Sequence, residues 1–152
     1  KQIAIYIKNT IFNNQIDIKN NNKYKNNYNN NDDVFIHIRL GDIVASNFVT
    51  QYEYYDKALS MIKFKKGYIS SDTITHDICQ KLIKKYNLTI FNSDEIDTIQ
   101  FASTCKNIVL STGTFSWMIG IFGFFSKIYY PKIKTKWHGD IFVFSDWTKI
   151  NY

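Results

Sequence analysis

Hydrophobic and polar positions change rhythm several times along the chain, and each change marks an element. Ile3, Ile5 and Ile7 alternate as in a strand, yet residues 1–12 suit equally a helix belonging to an upstream region. Residues 13–32 are mostly asparagine with scattered lysine and tyrosine. Such a stretch buries too little apolar surface to offset its ordering entropy, so it reads as a flexible loop or linker. Beyond it the pattern sharpens. VFIHIR (34–39) is a short apolar run closed by Gly41 and Asp42, as expected of a buried strand and a tight turn. Tyr55, Ala58, Leu59 and Ile62 then recur at helical spacing. GYISSD (67–72) reads as a second strand, with Asp72 or Thr73 capping a helix that carries Ile78, Leu82 and Tyr86 on one face. Strands at 88–91, 106–110 and 127–130 alternate with helices at 94–105 and 114–125, and Pro131 closes the last strand.

Strands alternating with helices at this spacing require right-handed crossovers and a parallel sheet. The expected fold is a doubly wound, Rossmann-like α/β domain with a sheet of about five strands. The chain then divides into an N-terminal segment with its asparagine-rich linker, 1–33, and the α/β domain, 34–152. Ligands of such sheets bind beyond the carboxyl ends of the strands. Those ends carry the small polar residues of an otherwise apolar sequence, at 39–42, 70–72, 92–94 and 111–116.

Composition narrows the classes. With 45% hydrophobic and 17% aromatic residues and one proline, the chain has a core and is not collagen-like, mucin-like or wholly disordered. A net charge of +6 favours polyanionic partners without separating nucleic acid from a phosphorylated small molecule or a negative membrane. Much of it lies in the linker and at helix positions such as Lys81, Lys84 and Lys85, with no nucleic-acid motif, so nucleic acid is not the expected partner. The longest apolar run, 115–125, is too short to span a bilayer and reads as a buried helix. Cys79 and Cys105 make no disulfide framework and are expected reduced and buried, as in a cytoplasm-like reducing compartment. The abundance of Asn, Lys, Ile and Tyr suggests an AT-rich genome.

Two loops can carry chemistry. Alternation places His37 and Arg39 on the face of their strand opposite Ile36 and Ile38. Arginine offers a rigid fork for phosphate oxygens, and Gly41 lets backbone approach a ligand. Spacing alone leaves open the alternative of a structural Arg39–Asp42 ion pair beside a core histidine. The second loop, Ser111-Thr-Gly-Thr-Phe-Ser116, leads into a helix whose free amides and dipole form an anion site. A simple helix cap at Thr112 or Thr114 is the plainer alternative. No Walker loop is present, His76 and His138 lack ligand-like partners, and WHGD (137–140) lacks the other segments of a phosphatase metal site. No metal is expected.

VFIHIRLGD (34–42), YYDKALSMI (54–62), GYISSD (67–72), DTIQFASTCKNIVLSTGTFSWMIG (97–120) and FSDWTKI (144–150), in this order, resemble the alpha-1,2-fucosyltransferase family and its GT-B fucosyltransferase relatives. The resemblance implies the donor-binding half of a GT-B glycosyltransferase. It would transfer fucose from GDP-fucose to a glycan acceptor by inverting displacement, without metal or other cofactor. By position, Arg39 would hold the diphosphate, with His37 and Gly41 beside it, and Asp42 is a candidate base. Asp97 would reach the guanine edge. Ser111, Thr112, Gly113, Thr114, Phe115 and Ser116 would cradle nucleotide and phosphate, and Ser71 and Asp72 would line the cleft. The chain departs from the family pattern at Leu40, Ile43, Thr73 and Met118. The family also carries an acceptor-side domain before the histidine-arginine motif, where this sequence has 33 residues. The alternative is an inactive nucleotide- or glycan-binding module derived from the same fold.

Overall fold

In the structure, a computed structural model describing residues 2–46, 49–132 and 144–152, strands and helices alternate as the sequence pattern requires. The strands are β1 (Val34–Ile38), β2 (Gly67–Ser71), β3 (Thr89–Ile90), β4 (Asn107–Val109), β5 (Lys127–Pro131) and β6 (Thr148–Ile150). They form one sheet of order β3-β2-β1-β4-β5-β6 in which every pairing is parallel. The helices are α1 (Gln2–Asn13), α2 (Gln15–Asn21), α3 (Tyr52–Met61), α4 (Asp77–Tyr86), α5 (Glu95–Ala102) and α6 (Thr114–Phe122). The sixth strand was not anticipated. Only three residues long, with Ile150 alone buried, it carries too little alternation to stand out.

Burial on both faces explains why β1 reads as a continuous apolar run. Val34, Ile36 and Ile38 pack with Tyr55, Ala58 and Leu59 of α3 and Leu82 of α4 on one side. Phe35 packs on the other with Ala102 of α5 and Trp117, Ile119 and Ile121 of α6. Tyr54 Oη donates to the Leu110 carbonyl at 2.7 Å, stapling α3 to the end of β4. Among the helix starts, Asp94 caps α5 by accepting from the Asp97 amide. The cap of α4 is His76, whose Nδ1 accepts from the Ile78 amide, rather than Asp72 or Thr73. Asp72 is instead drawn back to β1.

The ambiguous first segment is the helix α1, which lays Ala4, Ile7 and Ile11 on the core containing Phe144 and Trp147. Lys8 pairs with Asp146 and sits 4.3 Å from the Phe144 ring centroid.

The asparagine-rich stretch is also ordered, as α2, a 3-10 turn at Lys25–Asn27 and connecting turns. Asn22 is 3% exposed, and its amide donates to the Gln100 carbonyl, Tyr28 Oη and Ser103 Oγ. Asn31 reaches the Thr104 carbonyl. Tyr24 meets Phe101 edge to face with centroids 5.3 Å apart. Reading this stretch as flexible considered apolar area alone. Its anchors are amides that satisfy backbone carbonyls at the end of α5, an attachment no hydrophobicity pattern displays.

Both cysteines are buried and free, and burial pushes both thiols up from their ordinary range. Among the described residues no helix is long and apolar enough to cross a membrane. The WHGD segment and His138 lie outside the described residues.

Candidate functional site

The strand order 3-2-1-4-5-6 reverses direction between β1 and β4, and the loops leaving these neighbours diverge to opposite faces of the sheet. Doubly wound sheets form their ligand crevice at such a divergence, and here Arg39 and the turn into α6 flank it. Its first wall is built around Asp72. One oxygen of that carboxylate accepts the Leu40 amide at 2.8 Å, and the other lies 3.4 Å from Arg39 Nε. Arg39 Nη2 also donates to Asp42 at 2.6 Å. Two carboxylates thus hold a half-exposed guanidinium at the mouth of the strand. Gly41 is needed for this packing, because a Cβ there would stand 2.5 Å from Asp72 Oδ2. Ser71 Oγ accepts from the Thr73 amide and so shapes the turn that returns Asp72 to β1.

The second wall is the start of α6. Gly113 occupies φ 105 and ψ 159, a region essentially closed to residues with a side chain, and among the described residues no side chain caps the helix. The amides of its first turn are left available, and Gly113 and Thr114 are exposed. A Cβ built on Gly113 would lie 4.0 Å from Arg39 Cγ. The stem of the arginine therefore lies beside the amino end of α6, so that guanidinium and helix start border one site. Beneath them His37 is 5% exposed, meets the Phe115 ring edge to face at 5.1 Å, and bonds through Nδ1 to Ser116 Oγ. Ser116 Oγ also accepts the Ser111 amide at 3.0 Å.

The structure thus brings together His37, Arg39, Gly41, Asp42, Asp72, Gly113, Phe115 and Ser116, with Ser71, Ser111, Thr112 and Thr114 in the adjoining turns. The Arg39–Asp42 pair offered above as the structural alternative is present, and it lies inside this crevice. Asp97 stands apart on the first turns of α5, where Lys23 and Ser93 hold its carboxyl below the usual range. No described bond joins it to the Arg39 cluster. Missed in the sequence were Thr50 and Tyr55, whose hydroxyls gather around that of Ser111, all buried without a well-formed bond. Helical spacing assigned Tyr55 to the core but could not show where its hydroxyl would point. A polar hollow of about 520 Å³ bordered by Asn29, Asp32, Lys65 and Lys106 lies at the amino ends of the strands, away from this crevice.

Burial drives the His37 ring down from its ordinary 6.5 to about 4, with Asp72 opposing the shift and Arg39 reinforcing it. The ring is neutral at physiological pH. Between these two values the unfolded chain binds a proton that the folded chain refuses, so stability falls as the pH drops through that window, by up to roughly 3 kcal/mol. Wild type should therefore lose more melting temperature than His37→Gln on going from about pH 7 to about pH 4.5. Parallel melting curves for the two would show that the ring is not held neutral.

A doubly wound α/β domain with an arginine beside a helix amino end at its switch point belongs to the class built to hold an anionic ligand there. The chain belongs to glycosyl transferase family 11, the alpha-1,2-fucosyltransferase family, whose sequence model matches residues 4–137. It is accordingly a glycosyltransferase domain, and the match includes most of α1 and the asparagine-rich stretch. Among curated proteins none matches it.

Proposed function

We propose that the crevice binds the diphosphate of a GDP-sugar, GDP-fucose in particular, and that fucose passes from it to a glycan hydroxyl. The observation that carries this reading is the placement of Arg39 against Gly113 at the start of α6. In an inverting displacement the acceptor oxygen attacks the anomeric carbon as the bond to the diphosphate breaks, and negative charge grows on the leaving group. The guanidinium and the unpaired amides of α6 are set to receive that charge, the task a divalent metal performs elsewhere. Asp42, paired with Arg39 and 76% exposed at its side chain, is the candidate to take the acceptor proton. Asp97 is assigned to the guanine edge, which requires it to leave Lys23.

Thermal shift with GDP, GDP-fucose, GDP-mannose, UDP-glucose and ADP, each with and without chelator, tests this. GDP compounds at a hundredfold excess over their Kd should raise the melting temperature by about 5–10 °C, and chelator should not alter the shift. Equal shifts with every nucleotide would remove the guanine role from Asp97. No shift with any of them would end the donor-binding reading.

A further inference from the structure

The hydroxyl of Ser116 is committed in a way that determines the state of its neighbour. Its oxygen already accepts from the Ser111 amide, a group that can only donate. Ser116 is fully buried, so its own hydrogen needs an acceptor, and a buried donor without one costs about 1–3 kcal/mol. Among the described residues the only acceptor bonded to that oxygen is His37 Nδ1. If Nδ1 carried the ring proton, two hydrogens would compete for one contact and one would be stranded. The neutral ring therefore keeps its proton on Nε2, which bonds to no described residue but is absent from the buried unpartnered atoms among the described residues and so can donate to solvent or ligand.

We propose that Ser116 is a positioning residue, fixing His37 as the Nε2–H tautomer so that an uncharged imidazole donates a hydrogen bond into the crevice beside Arg39. The substrate part of this inference rests on the reading of the crevice as a diphosphate site. The tautomer part does not. In that site Ser116 acts through the histidine and not on phosphate itself. A neutral donor complements Arg39 without placing a second cation next to it, which the low affinity of the buried ring for a proton secures.

Nitrogen-15 spectra of the ring in histidine-labelled protein, assigned by the signals lost in His37→Gln, read the tautomer directly. Wild type at neutral pH should show a single neutral form protonated at Nε2. Ser116→Ala should show a mixture of tautomers, and Ser116→Thr should restore the wild-type pattern. A wild-type ring protonated at Nδ1 would overturn the proposal whether or not any variant folds. Calorimetry with GDP tests the consequence. Ser116→Ala should weaken GDP about tenfold. His37→Gln, whose amide can donate from the Nε2 position, should bind GDP more tightly than His37→Asn, whose amide lies at the Nδ1 position. Equal affinities for those two variants would overturn the donor role. A wild type that binds no GDP sinks the donor-binding reading instead and leaves the ring spectrum to judge the tautomer.

Discussion

Arg39→Ala is expected to lower transfer from GDP-fucose by at least about 100-fold while leaving the protein folded. The side chain is 39% exposed, and its partners Asp42 and Asp72 are 76% and 33% exposed, so the ion pairs are largely solvated and contribute little to stability. Asp72 keeps the Leu40 amide as a partner when the arginine is removed. The fold therefore has small dependence on this residue, whereas the leaving diphosphate would lose the only arginine in its crevice. Lysine should rescue poorly. An ammonium is a point charge and cannot span Asp42, Asp72 and a phosphate as a planar fork does. Steady-state rates with the donor, alongside a melting curve, check both halves. Wild-type kcat/KM in Arg39→Ala would remove the arginine from the mechanism.

Gly41→Ala is expected to disrupt the same wall of the site through the carboxylate that holds the arginine. The glycine has no unusual φ, so alanine brings no backbone strain there. The conflict is with one neighbour, because the new Cβ would stand 2.5 Å from Asp72 Oδ2 and 3.3 Å from its carboxyl carbon. Oδ2 must swing away and release Arg39 Nε, while Oδ1, 4.0 Å from the new Cβ, strains but need not break its bond to the Leu40 amide. We expect a stability loss of about 1 kcal/mol and at least about a tenfold loss of GDP affinity. Asp72→Ala provides the control, since it removes the obstructing atoms. Gly41→Ala added to Asp72→Ala should cost little more than Asp72→Ala alone. If Gly41→Ala costs the same in both backgrounds, the contact with Asp72 is not its cause.

The carboxyl-end loops were legible because turn chemistry and strand period agree there. Residues 34–38 had to be buried on both faces, and small polar residues at 111–116 had to mark a strand-to-helix turn. The adjacency of those two loops then follows from the doubly wound strand order, which sets β1 beside β4. What stayed hidden depends on partners distant in sequence. The alternation of Ile3, Ile5 and Ile7 fits a strand or a helix until the core containing Phe144 and Trp147 is seen to receive Ile7 and Ile11. Asn22 looks like linker until the carbonyl of Gln100 is placed against it. Asp72 looks like a cap until the Leu40 amide competes for it and wins, leaving His76 to start α4. Asp97 shows the reverse hazard. Its place in a motif implied a role, while the structure supplies Lys23 and Ser93 as present companions.

The meeting of α1 with the last strand's approach has a practical consequence for handling the protein. Ala4, Ile7 and Ile11 roof the core that contains the Phe144 and Trp147 rings, and Lys8 lies over both rings. Trimming the first dozen residues as though they were a dispensable leader would strip that roof and expose paired aromatic rings beside an edge strand. Shortened versions should accordingly come out of purification as aggregates, even with every residue of the crevice intact.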